Sequence, residues 1–194
     1  MPEEPTAEGA LKPPAAAPAP PKPPPAMVIT PWEGDLAREL KEVFGDQILE
    51  LSTGLGQDFL VARPESAIAI LEHLKLEDEY DYLVDLTAVD WPDKPERFEL
   101  VYILYSFSRN HRLRVKTRIP EGSHPPTASG VHLTADWMER EVFDMFGIEF
   151  AGHPNMKRLL LPEEWQGYPL RKDYGILQMD NRWVQENLGI DSGQ

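Results

Sequence analysis

The residues best equipped for chemistry lie late in the chain. Glu139, Glu141 and Asp144 fall on one stretch of helical spacing, and His153 follows shortly after. Carboxylates beside an imidazole are the raw material of a general acid–base pair or of a divalent-metal site. Helical geometry weakens that reading. At about 100° per residue, Glu139 and Glu141 point about 200° apart, so one ion does not easily bridge them. No HExxH or other compact ligand spacing is present. Salt bridges to Arg140, Arg158, Arg171 or Lys172 are the expected fate of these acids, and Arg140 and Asp144 already stand at i, i+4 spacing. Neither a catalytic residue nor a metal is expected in this chain.

Other chemical motifs fail on inspection. The histidines at positions 73, 111, 124, 132 and 153 form no triad-like arrangement. His153, between Gly152 and Pro154, is expected to be buried and hydrogen-bonded in a structural role. Gly54-Leu55-Gly56 begins like a GxGxxG fingerprint, but Phe59 stands at the third glycine position, and no GxxxxGK[ST] loop exists.

Composition narrows the classes further. Cysteine is absent from all 194 residues, which rules out disulfides, thiolate nucleophiles, zinc ribbons and all-cysteine iron–sulfur ligation within this chain. Any electron moved by an assembly containing this protein travels through other subunits. A net charge of −14 argues against nucleic acid or an anionic membrane surface as a direct partner. No run of about eighteen apolar residues is present to span a bilayer. Half of the 20 prolines fall between Pro2 and Pro25, interleaved with alanine. Residues 1–30 therefore read as a disordered, polyproline-rich tail without the features of a secretory signal.

The elements that position the acid-rich stretch follow from residue 31. Leu36, Leu40, Val43 and Phe44 mark a helix over Glu33–Phe44, with Gly45 as its stop. Ile48–Leu51 and Asp58–Ala62 predict two strands around the Gly54–Gly56 turn. A second helix starts at Pro64 and presents Ala67, Ile68, Leu71 and Leu74. Tyr80–Val89 reads as a strand. Phe98–Phe107 and the alternating Arg112–Ile119 form a hairpin through Ser108–His111, its second strand half exposed. After a loop at Pro120–Pro126, a third helix runs over Ala135–Phe146, with Thr134 as a candidate N-cap. Met138, Val142 and Met145 line one stripe of it, extended by Phe146, with Trp137 opposite. Such a helix needs cover on more than one side, from its own sheet and from either the C-terminal segment or a partner. Strands grouped beside helices predict a two-layer α+β domain over 31–146 with a mainly antiparallel sheet. Residues 147–194 read as an extended C-terminal segment. Between Gly147 and Tyr174 it shows little periodicity, but it is rich in aromatics and carries four basic against four acidic residues in an otherwise acidic chain. Contacts, to its own domain or to a neighbour, are expected to pin it down.

The spacing of these residues resembles a known family. Glu139-Arg140-Glu141, Asp144-Met145-Phe146 before Gly147, His153-Pro154, then Lys157-Arg158 and Leu159-Leu160 look like the signature of the respiratory complex I 30 kDa (C-type) subunits. Leu161-Pro162-Glu163-Glu164-Trp165, Gly167 and Pro169-Leu170-Arg171-Lys172-Asp173-Tyr174 resemble that family's second block. The resemblance implies a cofactor-free, structural subunit in the peripheral arm of a proton-translocating NADH–quinone oxidoreductase. It implies contact with the D-type (49 kDa) subunit, near the B- and I-type subunits that carry iron–sulfur clusters, with the flavin also in a partner subunit. It also implies a peripheral place on the cytoplasmic side of the membrane, and a docking role for residues 139–174. Charge reversal at Arg140 or Arg171 is then expected to weaken assembly more than the isolated domain. The alternatives are an equivalent subunit of a ferredoxin- or F420H2-dependent oxidoreductase or membrane-bound hydrogenase, and a stand-alone metallohydrolase built on the acid–histidine cluster.

Overall fold

The computed structural model describes residues 28–175 and 181–189. The proline-rich stretch up to residue 27 and parts of the C-terminal segment lie outside the described residues. The first strand, β1 (Ile29–Pro31), pairs with β2, so Ile29 and Thr30 belong to the sheet and not to the tail as the sequence predicts. A three-residue edge strand ending in proline carries too little alternation to be read locally.

The elements up to residue 146 fall close to their predicted places, while a short helix over Asn181–Leu188 lies in the stretch that the sequence reads as an extended segment. Helix α1 (Asp35–Phe44) buries Leu36, Ala37 and Leu40 and stops at Gly45, whose φ of 53° needs no Cβ. Strands β2 (Ile48–Gly54) and β3 (Gln57–Ala62) are joined by Leu55 and Gly56. Both have positive φ, the primed turn that matches the twist of a hairpin. Helix α2 (Ala67–Leu76) follows a single 3-10 turn at Pro64–Ser66 and buries Ile70, Leu71 and Leu74. Then come β4 (Tyr82–Asp90), β5 (Phe98–Ser106), β6 (His111–Ile119), α3 (Ala135–Phe146) and α4 (Asn181–Leu188).

The strands form one sheet in the order β1-β2-β3-β6-β5-β4, antiparallel except where β3 runs parallel to β6. This is the expected mainly antiparallel α+β architecture. Register sorts the side chains. Leu60, Val115, Tyr102 and Leu86 stand opposite one another across four strands, and all are buried. With α1, α2 and α3 they make one continuous core. On the other face Arg114, Lys116 and Arg118 of β6 are partly covered. Glu99 lies 3.4 Å from Lys116 and 3.2 Å from Arg118, and the Lys116 ammonium sits 4.6 Å over the Phe59 ring. The half-exposed character predicted for β6 holds, although the strand is central to the sheet.

Helix α3 departs from its predicted stripe. The buried positions are Ala135, Glu139, Val142 and Phe146, with Asp144 buried on a second side, while Met138 and Met145 are only partly buried. An acid thus occupies a core-facing position. Thr134 has helical backbone and no side-chain cap bond, so the predicted N-cap is not made.

Candidate functional site: helix α3 and the segment anchored to it

Asp144 is the centre of the arrangement. Its Oδ2 accepts the backbone N–H groups of Leu159, Leu160 and Leu161 at 3.0, 2.7 and 2.9 Å, and its Oδ1 accepts Arg158 Nη1–H at 2.7 Å. Three successive amides converging on one oxygen form an anion nest. Burial alone would push this carboxyl up. The amides of Leu161, Leu160 and Leu159 with the Arg158 guanidinium outweigh it and hold it below the ordinary carboxylate range. Arg158 then reaches the carbonyl oxygens of Trp165 at 3.0 Å and Gly167 at 3.4 Å, with Tyr168 5.4 Å from its guanidinium. One carboxylate thereby orders the chain from Arg158 to Tyr168.

Arg140 does not pair with Asp144, contrary to their i, i+4 spacing. Its guanidinium donates to the carbonyl oxygens of Lys157 and Arg158, both at 3.1 Å, and lies 5.0 Å over the Trp137 ring. The nest already saturates Asp144. At the end of α3 the same segment supplies the cap. Leu170 N–H donates to Met145 O at 3.1 Å, and Arg171 Nε–H donates to Phe146 O at 2.5 Å. These are the carbonyls that every helix leaves unpaired, and a cation there also favours the helix dipole. Gly147 turns the chain in the left-handed region at φ 75°, with the Tyr168 ring close beside it. A Cβ there would lie 2.5 Å from the ring. Gly167, at φ 85°, receives Tyr174 in the same way.

A second anchor lies where β4 ends. Asp90, fully buried, accepts both Nε–H and Nη2–H of Arg97 at 2.8 and 3.0 Å, and the backbone N–H of Lys172 at 2.7 Å. The Arg97 bonds hold the Asp90 carboxyl low despite burial, and Asp90 in turn raises Arg97. Arg97 also meets Asp173 and Glu121, each at 2.9 Å, and Glu121 reaches Arg171 at 2.7 Å.

Glu139 forms the third. Its Oε1 accepts Ala128 N–H at 2.6 Å and its Oε2 accepts the Thr127 hydroxyl at 2.5 Å. Burial pushes this carboxyl up, only partly offset by those two donors. His153 is buried as expected. Its Nδ1 accepts Asn155 N–H, which assigns the proton to Nε2, 3.0 Å from both the carbonyl oxygen and Oδ1 of Asp136.

These contacts decide which chemistry the acids can do. Asp144 is taken up by four donors, Glu139 and His153 come within 3.9 Å of one another but face structural donors and acceptors, and Glu141 is exposed. The four metal-capable residues therefore do not converge. Phe146 packs edge-on to Phe98 at 6.4 Å, Trp165 is buried, Pro162 and Pro169 are partly buried, and Pro154, Lys157 and the Lys172 side chain are exposed. Sequence reasoning missed Asp90, Arg97, Glu121, Thr127 and Ala128. No local signal marks them, since Asp90 and Lys172 are 82 positions apart.

Fold and site together define a two-layer α+β domain whose acid-rich helix anchors an irregular segment through saturated polar contacts. The comparisons agree with that class. Residues 60–179 match the family described as respiratory-chain NADH dehydrogenase, 30 Kd subunit, and the chain belongs to that family. It is 42% identical over 139 residues to the C-type subunit of the NADH-quinone oxidoreductase of Geotalea uraniireducens, covering 71% of this chain and 85% of that protein. A C-type subunit of the same enzyme in Rhizobium meliloti is 39% identical over 144 residues, covering 73% of this chain and 72% of the relative. The C/D-type subunit of Bdellovibrio bacteriovorus is 38% identical over 140 residues, which are 72% of this chain and 25% of that longer protein. Among solved structures, a chain of the membrane-bound sulfane sulfur reductase, an archaeal respiratory membrane complex, superposes with a TM-score of 0.66. It is 27% identical, and the match covers 80% of this chain and 91% of the other.

Proposed function

We propose that this chain is the C-type subunit of a proton-translocating NADH–quinone oxidoreductase and works in its peripheral arm as a cofactor-free assembly element. The observation that carries the reading is how α3 and the following segment divide their side chains. The polar groups of Asp144, Arg158, Arg140, Arg171 and Glu139 are engaged in internal bonds. Large apolar groups of the same region stay exposed: Leu133, Trp137, Leu160 and Leu170. A surface that is rigid beneath and apolar above suits a partner protein better than a small substrate.

Further support comes from the relatives' names and from chemistry. A relative whose name joins the C and D types supports the D-type subunit as the neighbour, with the B- and I-type subunits beyond it. With no cysteine in the sequence to ligate a cluster, the iron–sulfur clusters are assigned to partner subunits, and the flavin with them. No helix among the described residues is long and apolar enough to cross a membrane, so membrane contact would come through the complex, on its cytoplasmic side. A chain of the same fold in a complex named for sulfane sulfur reduction supports a scaffold that leaves the electron donor's chemistry to other subunits.

The test is co-expression with the D-type subunit, read on a native gel with mass-spectrometric identification. The double variant Trp137→Glu, Leu160→Glu should lose co-migration while keeping the wild-type unfolding midpoint, because both side chains are exposed. Undiminished co-migration would overturn the docking surface. The geometry also revises the expectation for charge reversal. Arg171 is tied to Phe146 and Glu121 within the chain, so reversing it strikes the fold as well as assembly.

A further inference from the structure

Away from α3, three potential ligands converge where α1 and α2 meet. Glu39 comes from α1, His73 from the last turns of α2, and Asp78 from the turn that follows. His73 Nε2 lies 3.8 Å from Glu39 Oε1 and 3.8 Å from Asp78 Oδ2, and the three ligand atoms all lie within 4.8 Å of one another. Asp78 is 1% exposed. Its Oδ1 accepts Arg109 Nη2–H at 2.8 Å, while its Oδ2 and His73 Nε2 are buried without a hydrogen-bond partner. Leaving two such atoms unpaired is costly, and a buried carboxylate oxygen facing a second carboxylate calls for positive charge between them. In keeping with this, burial first and the Glu39 carboxylate second push the Asp78 carboxyl up.

We propose that Glu39, His73 and Asp78 bind one divalent transition-metal ion of the Zn2+ class, with water completing the coordination. Imidazole nitrogen with two carboxylate oxygens suits Zn2+ or Co2+ and disfavours Ca2+ and Mg2+, which take oxygen ligands. Bonds of about 2.0–2.2 Å in a tetrahedron place neighbouring ligand atoms about 3.3–3.6 Å apart. The 3.8 Å separations therefore need to close by only a few tenths of an ångström. Glu39, whose side chain is 51% exposed, closes the gap on its own side and leaves a route from solvent, while His73 and Asp78 draw together by a similar few tenths. The other two ligands are already oriented. Arg109 fixes Asp78, and the Phe44 ring stands edge-on to the His73 imidazole at 5.3 Å. The ion would staple α1 to the end of α2, which is a structural role.

The experiment titrates the untagged, chelator-stripped full chain with Co2+, followed by d–d absorption, and with Zn2+, followed by calorimetry. One equivalent binds, the unfolding midpoint rises with metal, and millimolar Mg2+ does not compete. Glu39→Gln and His73→Ala each weaken affinity by more than about 100-fold, beyond the 10–100-fold typical of a lost second-shell partner. Circular dichroism checks that each variant is folded. Asp78→Asn should behave alike, and the two other variants decide the matter if it fails to fold. Absence of stoichiometric binding overturns the site. So does binding of unchanged affinity in Glu39→Gln and His73→Ala, or equal displacement by Mg2+.

Discussion

From Ile29 to Phe146 the chain is held mainly by apolar side chains meeting in register, whereas from Gly147 to Gly175, apart from Ile148 and Phe150 in the core and Met156 against it, it is held by charges, amides and rings. In the first region a row such as Leu60, Val115, Tyr102 and Leu86 needs only approximate complementarity, because burial is non-directional. In the second, Asp144 meets four donors and Asp90 meets three, each at a defined distance. Directional bonds hold an irregular path that no hydrophobic stripe could specify. They also leave Leu160 and Leu170 free to face outward. The difference teaches why a segment without periodicity can still be rigid.

The sharpest way to break the contrast is Asp144→Asn. Removing one partner of a buried charged pair costs about 3–5 kcal/mol, and here the new NH2 group must also face either Arg158 or the amides of Leu159 to Leu161, donor against donor. The loss should be local. Protease cutting within 147–175 should accelerate by more than about tenfold while amide protection in β3, β5 and β6 persists. Equal loss of protection in both regions would mean the segment is no separate unit. The same variant tests the pH dependence. Asp144 and Asp90 both titrate lower in the folded state. Their contribution is complete above the unfolded carboxylate value of about 4 and is lost as pH falls through the lower folded one. Glu139, raised by burial, runs the other way and favours the fold at low pH. The acid limb of segment protection should be flatter in Asp144→Asn than in the wild type.

A smaller effect of opposite character is expected from Leu100→Ala in β5. Leu100 is fully buried, and the cavity costs about 3 kcal/mol. The denaturation midpoint should fall for the whole molecule, and cutting of the segment should rise only as far as global unfolding allows. Selective cutting of the segment would show that the core and the anchor are not separately maintained.

The same contrast decides what is legible in the sequence. Helices α1 and α2, the β2–β3 turn at Leu55–Gly56 and the β5–β6 hairpin can be read because periodicity and turn residues act over a few positions. The family spacing over 139–174 is legible as a pattern, and so is the buried, hydrogen-bonded state of His153. The physical reasons for the pattern are not. Asp144 takes its partners from 14 to 17 positions away, and Asp90 binds Lys172 across 82. Helical spacing offers Arg140 to Asp144, and a nest of amides wins instead, since three aligned N–H groups outweigh one exposed i, i+4 pair. Glu139 reads as a salt-bridging acid because nothing local announces Thr127 and Ala128 as its partners. Glu39, His73 and Asp78 escape because Glu39 lies on another helix, 34 positions before His73.

The smallest expected effect turns on one methyl group. Gly147 ends α3 at φ 75°, a conformation that costs an L-residue about 1–2 kcal/mol, and its missing Cβ leaves room for the Tyr168 ring. In Gly147→Ala the methyl group and the ring cannot both keep their places. Tyr168 is also the ring that Arg171 stacks on at 4.8 Å and Arg158 at 5.4 Å, so its displacement loosens both cations that hold the segment. The variant should lose about 2 kcal/mol, and cutting after Gly147 should rise well before β5 loses protection. Gly130→Ala is the control, because a Cβ there meets nothing within 4 Å and should change stability by less than about 0.5 kcal/mol. If the two alanine variants unfold and cut alike, the close approach of Tyr168 to Gly147 is not what sets the path of the segment. A large gap between them, with the sheet unaffected, would locate the beginning of the directional region at that one contact.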